Sequence, residues 1–186
     1  MLLLVVGNII ISSDRAQSPT TLLWNEVLRE DEKPHNLPMI EELLKQGADV
    51  NSKSENGHTF LTDAILMQKD PKIIKLFLNA GAYVNQEDDN GNLPLSQAFN
   101  QYAITVDDTD RTKNQNSLQT MQLLLKRGAY IFNRNEFKES FVDEAAKFSD
   151  SPDLFGSQGT FGQGLKTFLR PYVNNRALRK LAERGL

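Results

Sequence analysis

The sequence predicts an all-α fold built from stacked pairs of helices, each pair followed by a protruding turn. Three observations support this prediction. Similar stretches recur at a fixed spacing, amphipathic segments lie between them, and a glycine ends each of the clearest amphipathic segments. A fixed period of this length is typical of repeat proteins, in which each unit buries its apolar face against its neighbours.

The repeat has two landmarks that keep one spacing. The stretch GADVN at 47–51 recurs as GAYVN at 81–85. The pair NG at 56–57 recurs at 90–91, which is the same offset along the chain. A third copy, GAYIF at 128–132, follows after a longer interval, and an incomplete copy precedes the first.

Each copy is expected to contain two helices. Apolar residues recur every three or four positions in the second helix of each copy, which predicts one buried face. Gly47, Gly81 and Gly128 are placed to end these helices in the left-handed conformation, and Pro38 and Pro71 to begin two of them. The expected pairs are 21–30 with 38–46, 59–68 with 71–80, 93–102 with 117–127 and 140–148 with 163–170, followed by a last helix near 174–184.

Three residues of the first helices are assigned from their positions. Thr59 and Ser140 stand where first helices begin and are expected to act as N-caps. Trp24, the single tryptophan, lies on the first helix of an end copy and is expected in the core.

The stretches at the start of three of the first helices indicate which repeat family the sequence resembles. They read TFLTDA at 59–64, LPLSQA at 93–98 and SFVDEA at 140–145. With the G-A-x-V-N endings, they resemble the ankyrin-repeat family, in which a unit of about 33 residues opens its first helix with T-P-L-H-x-A. The resemblance covers residues 20–148 and implies an ankyrin-repeat solenoid of stacked helix–turn–helix pairs with β-turn fingers. No copy keeps the family's histidine, and Pro94 is the one proline kept.

The two ends of the chain lie outside the repeats. Residues 1–19 begin with the apolar run MLLLVVGNIII, which is too short to cross a bilayer as a helix. It is interpreted either as a cap over the first repeat or as a leader segment. Residues 149–186 are expected to form a linker and capping helices. From position 163 onward this end carries a net charge of +5, which leaves −8 on the rest of the chain.

The interval before the third copy is longer than the first one, and its extra residues lie within the polar segment 103–116. We expect a surface loop between the two helices of one copy, either inert or acting as a partner-specific finger. Asp107, Asp108 and Asp110 lack the ordered spacing of a calcium loop, so no metal site is predicted.

The composition restricts the chemistry that the chain can perform. The chain has no cysteine and two histidines, His35 and His58, which excludes disulfide scaffolds, zinc ribbons and thiol enzymes. A stretch at 159–167 resembles a phosphate-binding loop, but Leu165 separates its last glycine from Lys166, so no nucleotide or other cofactor is predicted. We expect a non-enzymatic protein.

The resemblance implies that the chain binds a protein partner through its finger tips and the exposed face of its first helices. Tyr83 and Tyr130 replace Asp49 at one repeat position and are interpreted either as anchors for the partner or as rings packed over a neighbouring repeat. Carried over by position, the finger residues are Lys53, Glu55, Asn56 and His58, then Asp88, Asp89 and Asn92, then Arg134, Asn135 and Glu136. The first-helix residues are Asp63, Gln97 and Glu144.

The partner is expected to be an unidentified protein bound by a monomer in the cytoplasm. The degenerate repeats also resemble those of bacterial effectors that are delivered into host cells. The alternative hypothesis is that the basic helix near 174–184 binds nucleic acid or an anionic membrane. Because the whole chain has a net charge of only −3, we expect neither of these partners for the molecule as a whole.

Overall fold

The computed structural model describes residues 5–6, 9–10, 17–29, 35–105, 111–134, 140–147, 161–172, 179–180 and 183. Over these residues the chain is mostly helical, which confirms the all-α class. The helices are α1 (Pro19–Leu28), α2 (Leu37–Lys45), α3 (Phe60–Leu66), α4 (Pro71–Asn79), α5 (Pro94–Thr105), α6 (Arg111–Lys126), α7 (Phe141–Ala146) and α8 (Phe161–Leu169).

A short strand pair lies within the apolar N-terminal run. Strands β1 (Val5–Val6) and β2 (Ile9–Ile10) pair antiparallel, with Val5 opposite Ile10 and Val6 opposite Ile9. This pairing was not predicted, although β-branched residues favour strands. Its role as a cap over the first repeat or as a leader stays a prediction.

The helices begin at side chains that cap their free N–H groups. In α3, the Thr59 hydroxyl accepts a hydrogen bond from the backbone N–H of Thr62 at 3.1 Å. In α7, Ser140 and Asp143 form a reciprocal capping box. Thr59 and Ser140 are therefore N-caps, as the sequence predicts. The other N-caps that satisfy a backbone N–H in this way are Ser18, Asn36 and Asp70.

Three second helices end at the predicted glycines. Gly47, Gly81 and Gly128 have φ angles of 89°, 93° and 84°, in the left-handed region. At Gly81, the glycine N–H donates to Leu78 and the next N–H, of Ala82, donates to Phe77 at 2.9 Å. The same pair of bonds occurs at the other two glycines. This Schellman arrangement satisfies carbonyls that the last turn leaves free.

The helices pack in two layers. The first helices α1, α3, α5 and α7 contact one another in chain order, and so do the second helices α2, α4 and α6. One apolar cluster runs between the layers from Leu23 in α1 to Leu169 in α8. Trp24 stacks on Phe60 with ring centroids 3.5 Å apart, so its predicted role in the core is confirmed.

The prediction of a loop over 103–116 was wrong at both of its ends. Helix α5 continues to Thr105 and helix α6 begins at Arg111, so the extra residues lengthen two helices that pack side by side. Residues 111–116 are polar but contain no glycine or proline to stop a helix. The three aspartates of the segment lie outside the described residues.

The C-terminal end is described in part. In α8, Leu165 and Leu169 are fully buried, which agrees with the helix expected at 163–170. Of the helix expected near 174–184, Arg179, Lys180 and Glu183 are helical. The rest of that helix and residues 148–160 of the linker lie outside the described residues. None of the described helices combines the length and the apolar character needed to cross a membrane.

Candidate functional site: a row of turns between the helix pairs

Two turns of the same geometry protrude between successive helix pairs. In the first, the Ser54 N–H donates to the carbonyl of His58 at 2.8 Å; in the second, the Asp88 N–H donates to the carbonyl of Asn92 at 3.1 Å. The two donors occupy equivalent positions of the sequence repeat, and so do the two acceptors. We call these turns, residues 53–58 and 87–92, finger 1 and finger 2.

The two fingers are tied to each other directly. The Asp89 N–H donates to the carbonyl of Gly57 at 3.0 Å, and the Lys53 ammonium pairs with the Asp89 carboxylate. The His58 Nε2 of finger 1 lies 3.2 Å from the Asn90 Nδ2 of finger 2. Because backbone and side-chain contacts both cross the gap, fingers 1 and 2 form one continuous surface, which we call the finger row.

Two asparagines connect each copy to the next at the base of the fingers. The Asn51 amide donates to the Gly81 carbonyl at 3.1 Å and accepts from the Tyr83 N–H at 2.8 Å. Asn85 repeats both bonds one copy later, to the Gly128 carbonyl at 3.1 Å and from the Tyr130 N–H at 2.9 Å. The sequence analysis did not assign this role, although the recurrence of asparagine at the end of both G-A-x-V-N stretches was the available signal.

Replacing Asn85 with alanine is expected to lower the free energy of unfolding by about 1–2 kcal/mol, because two backbone groups of the next copy lose their partner. Urea denaturation followed by circular dichroism measures the change. The control is Asn133→Ala, which alters an exposed asparagine. An equal loss in the two variants would contradict the assigned role of Asn85.

Tyr83 and Tyr130 occupy equivalent places beside this row. Each backbone N–H is held by the asparagine of the preceding copy, so the two side chains leave the chain at matching points. Tyr83 is 63% exposed and Tyr130 is 53% exposed. This exposure favours the interpretation as anchors over the interpretation as packed rings.

Most of the predicted finger residues are accessible. Lys53, Glu55, Asn56, Asp89 and Arg134 are exposed, whereas His58 and Asn92 are half-buried, as is the first-helix residue Gln97. Asn135 and Glu136 lie outside the described residues.

The predicted exposure of three carboxylates was wrong. Asp88 is 4% exposed because its carboxylate accepts from the N–H groups of Asn90 and Asn92, both at 2.9 Å, inside finger 2. Asp63 is 7% exposed and lies 2.7 Å from His58 Nδ1. Glu144 is 8% exposed because it belongs to α7, a six-residue helix in which four residues are buried. Asp63 and Asp88 therefore hold the turns, and none of the three carboxylates forms a free surface.

His58 and Asp63 form a His–Asp pair, which is also a component of the catalytic triads of hydrolases. Here the other ring nitrogen, Nε2, faces the Asn90 amide at 3.2 Å and the Asp88 carboxylate at 3.8 Å. The group within hydrogen-bond distance of Nε2 is an amide and not a hydroxyl, so the pair does not face the nucleophile that a triad needs. His58 therefore joins finger 1 to α3 and to finger 2, instead of standing at a tip as predicted. Across the part of the chain that the structure describes, no cluster of three or more His, Asp or Glu side chains could hold a metal ion.

His35 lies away from the row, where α1 ends and α2 begins. Its Nδ1 is 2.9 Å from the Glu26 carbonyl. Burial lowers the pKa of His35 below its ordinary value of 6.5, and the positive charges of Lys69 and Arg29 lower it further; the Glu26 carbonyl and carboxylate act in the opposite direction without reversing the shift.

This shift predicts a pH dependence of stability. Because the folded state binds the His35 proton less readily than the unfolded chain, the contribution of His35 is complete above the ordinary pKa of 6.5 and is lost as the pH falls below it. We expect the unfolding free energy of the wild type to fall more steeply below that pH than that of His35→Gln. Urea denaturation at several pH values measures the difference, and parallel curves would contradict the assignment.

Comparison of the sequence with models of known protein families gives no match, and no curated protein matches it either.

Proposed function

We propose that this chain is an ankyrin-type repeat stack that binds a protein partner, without catalysis, through the finger row together with Tyr83 and Tyr130. The observation that carries the proposal is the pair of exposed tyrosines at equivalent places, each held by an asparagine of the preceding copy. Tyrosine supplies large contact area at a small entropic cost and is common at the centres of protein interfaces.

The hydrogen bond and the ion pair between the two fingers support this function. A surface already held by the Asp89–Gly57 backbone bond and the Lys53–Asp89 ion pair loses little conformational freedom on binding. A rigid row of this kind favours recognition of a folded partner surface.

The charges of the row favour a protein over a nucleic acid. Lys53 is exposed together with Glu55 and Asp89, so both signs of charge occur on the surface of the two fingers. Nucleic acids, with their negatively charged phosphate backbones, bind to surfaces on which positive charges predominate. The interspersed charges are suited to the equally mixed surface of a protein.

We propose that the chain is not a catalyst because the polar groups that could serve catalysis are engaged in the turns. The chain has no cysteine, and the His58–Asp63 pair directs its free nitrogen to an amide within the finger row. The described carboxylates Asp63 and Asp88 serve the same turns.

Site-directed photocrosslinking tests the proposal. Benzoylphenylalanine in place of Tyr83 is expected to capture one discrete protein from the source cells, identified by mass spectrometry. The double variant Tyr83→Ser with Tyr130→Ser is expected to bind that purified protein at least about tenfold more weakly, because exposed aromatic anchors carry much of an interface energy.

The matched control is Ile104→Ser, which alters an apolar side chain that is 74% exposed at the end of α5. It is expected to keep the wild-type affinity. Equal affinity of the tyrosine double variant and the wild type, or one set of crosslinked proteins from positions 83 and 104 alike, would contradict the proposal.

A further inference from the structure

A basic groove lies between the second helices α4 and α6, on different elements from the finger row. It encloses about 220 Å³, and Leu123 contributes an apolar side chain to its lining. Lys72 and Lys75 of α4 line one side, and Lys126 of α6 lines the other. Gln119 and Gln122 of α6 complete its polar lining.

The arrangement follows from the repeat. Gln119 and Gln122 occupy the same positions of their second helix as Lys72 and Lys75 do in the preceding copy. Residues three apart share a helix face, so each pair points along the groove. Sequence reasoning missed the groove because it needs side chains from two copies, and the signal was this correspondence of positions.

Among the described residues, no carboxylate lines the groove, and Asp70, next to it in sequence, accepts a hydrogen bond from the Lys72 N–H at 2.9 Å as the N-cap of α4. No ion pair joins Lys72, Lys75 or Lys126 to a carboxylate of the described residues. All three lysines are exposed. Helix α2, with its two glutamates, packs against α4 but does not line the groove.

We propose that this groove binds an acidic peptide segment of a protein partner, with aspartate or glutamate side chains on the lysines and one apolar side chain on Leu123. The two glutamine side chains offer amide donors and acceptors to an extended backbone. The site is separate from the finger row, so it does not depend on the function proposed for that row.

The dimensions and the charge favour a peptide over other anions. The volume is below the roughly 300–1,000 Å³ of typical small-molecule sites, so it suits side chains of a segment that passes over it. Three lysines beside an apolar floor are few for nucleic acid, which specific binders grip through about 6–10 phosphate contacts.

Fluorescence anisotropy with the full chain tests the proposal. The probe is a fluorescein-labelled peptide in which one leucine is flanked by aspartates and glutamates, and its reference is the same peptide with asparagine and glutamine instead. The acidic peptide is expected to bind at least about tenfold more tightly than the neutral one, and added salt is expected to weaken it. The double variant Lys72→Gln with Lys75→Gln is expected to remove most of this difference.

The matched control is Lys45→Gln with Lys113→Gln, which removes the same charge from exposed helix positions outside the groove. It is expected to change the affinity less than about twofold. Because the altered lysines are exposed, all variants should give the circular dichroism spectrum of the wild type. Equal binding of the two peptides, equal loss in both double variants, or tighter binding of inorganic phosphate or a DNA oligonucleotide than of the acidic peptide would overturn the proposal.

Discussion

Replacing Phe60 with alanine is expected to lower the free energy of unfolding by about 3–5 kcal/mol. Phe60 has no exposed surface, stacks on Trp24 at 3.5 Å with an interplanar angle of 15°, and contacts Phe77 at 5.7 Å. It joins α1, α3 and α4, so its removal leaves a cavity between two copies. A loss of this size is a large part of the roughly 5–15 kcal/mol that stabilises a typical domain.

Because Trp24 is the single tryptophan, its fluorescence reports on the site of the Phe60→Ala substitution. Trp24 loses its stacking partner in Phe60→Ala, so the fluorescence of the folded protein should shift to longer wavelength before any unfolding. Chemical denaturation followed by both fluorescence and circular dichroism measures the two effects. The control Phe168→Ala, at a half-buried ring of α8 beside Tyr172, should destabilise less and leave the Trp24 spectrum unchanged. Little destabilisation of Phe60→Ala, or an unchanged Trp24 spectrum, would contradict the proposed packing.

Phe60 also shows what a local pattern can predict. Its position, the second of the stretch TFLTDA, is visible in the sequence, whereas its stacking on Trp24 depends on the contact between α1 and α3. Helix positions could be predicted because amphipathic spacing, caps and terminal glycines are encoded within a few neighbouring residues. Tertiary partners are not encoded locally.

The errors came from assigning single residues and short segments by their own preference. Asp63 and Asp88 look like exposed carboxylates in the sequence, since charged side chains are rarely buried without partners. Their partners, His58 and the backbone of finger 2, come into place only when the turns fold. The segment 111–116 looks like a loop because it has no apolar face, yet it forms the first turns of α6, beside α5. The partners of Asp63 and Asp88 lie within five residues of them, so the conformation of the turn decides their burial, and residues 111–116 contain no glycine or proline that would stop the helix.

Replacing Gly57 with alanine is expected to lower the unfolding free energy by about 2–5 kcal/mol, the sum of a conformational and a steric cost. Gly57 has a φ angle of 75°, and the left-handed conformation costs a residue with a Cβ roughly 1–2 kcal/mol. A Cβ at this position would also overlap the Cβ of Asp89, which is attached directly to the backbone of finger 2. The two fingers would have to move apart, and the Asp89–Gly57 hydrogen bond would weaken.

Gly81→Ala separates the two contributions. Gly81 has a φ angle of 93°, but a Cβ there would meet no atom within 4 Å, so this variant bears the conformational cost alone. Gly57→Ala should therefore be less stable than Gly81→Ala by about 1–3 kcal/mol, the usual cost of overpacking.

A double-mutant cycle with Asp89→Gly identifies the atom responsible, because that change removes the Cβ that the new methyl group meets. In this background, Gly57→Ala should cost no more than Gly81→Ala. The cycle distinguishes fingers that touch from fingers that only share a repeat pattern. If Gly57→Ala were equally costly with and without the Asp89 side chain, the close approach of the two turns, and with it the continuous surface proposed for partner binding, would have to be abandoned.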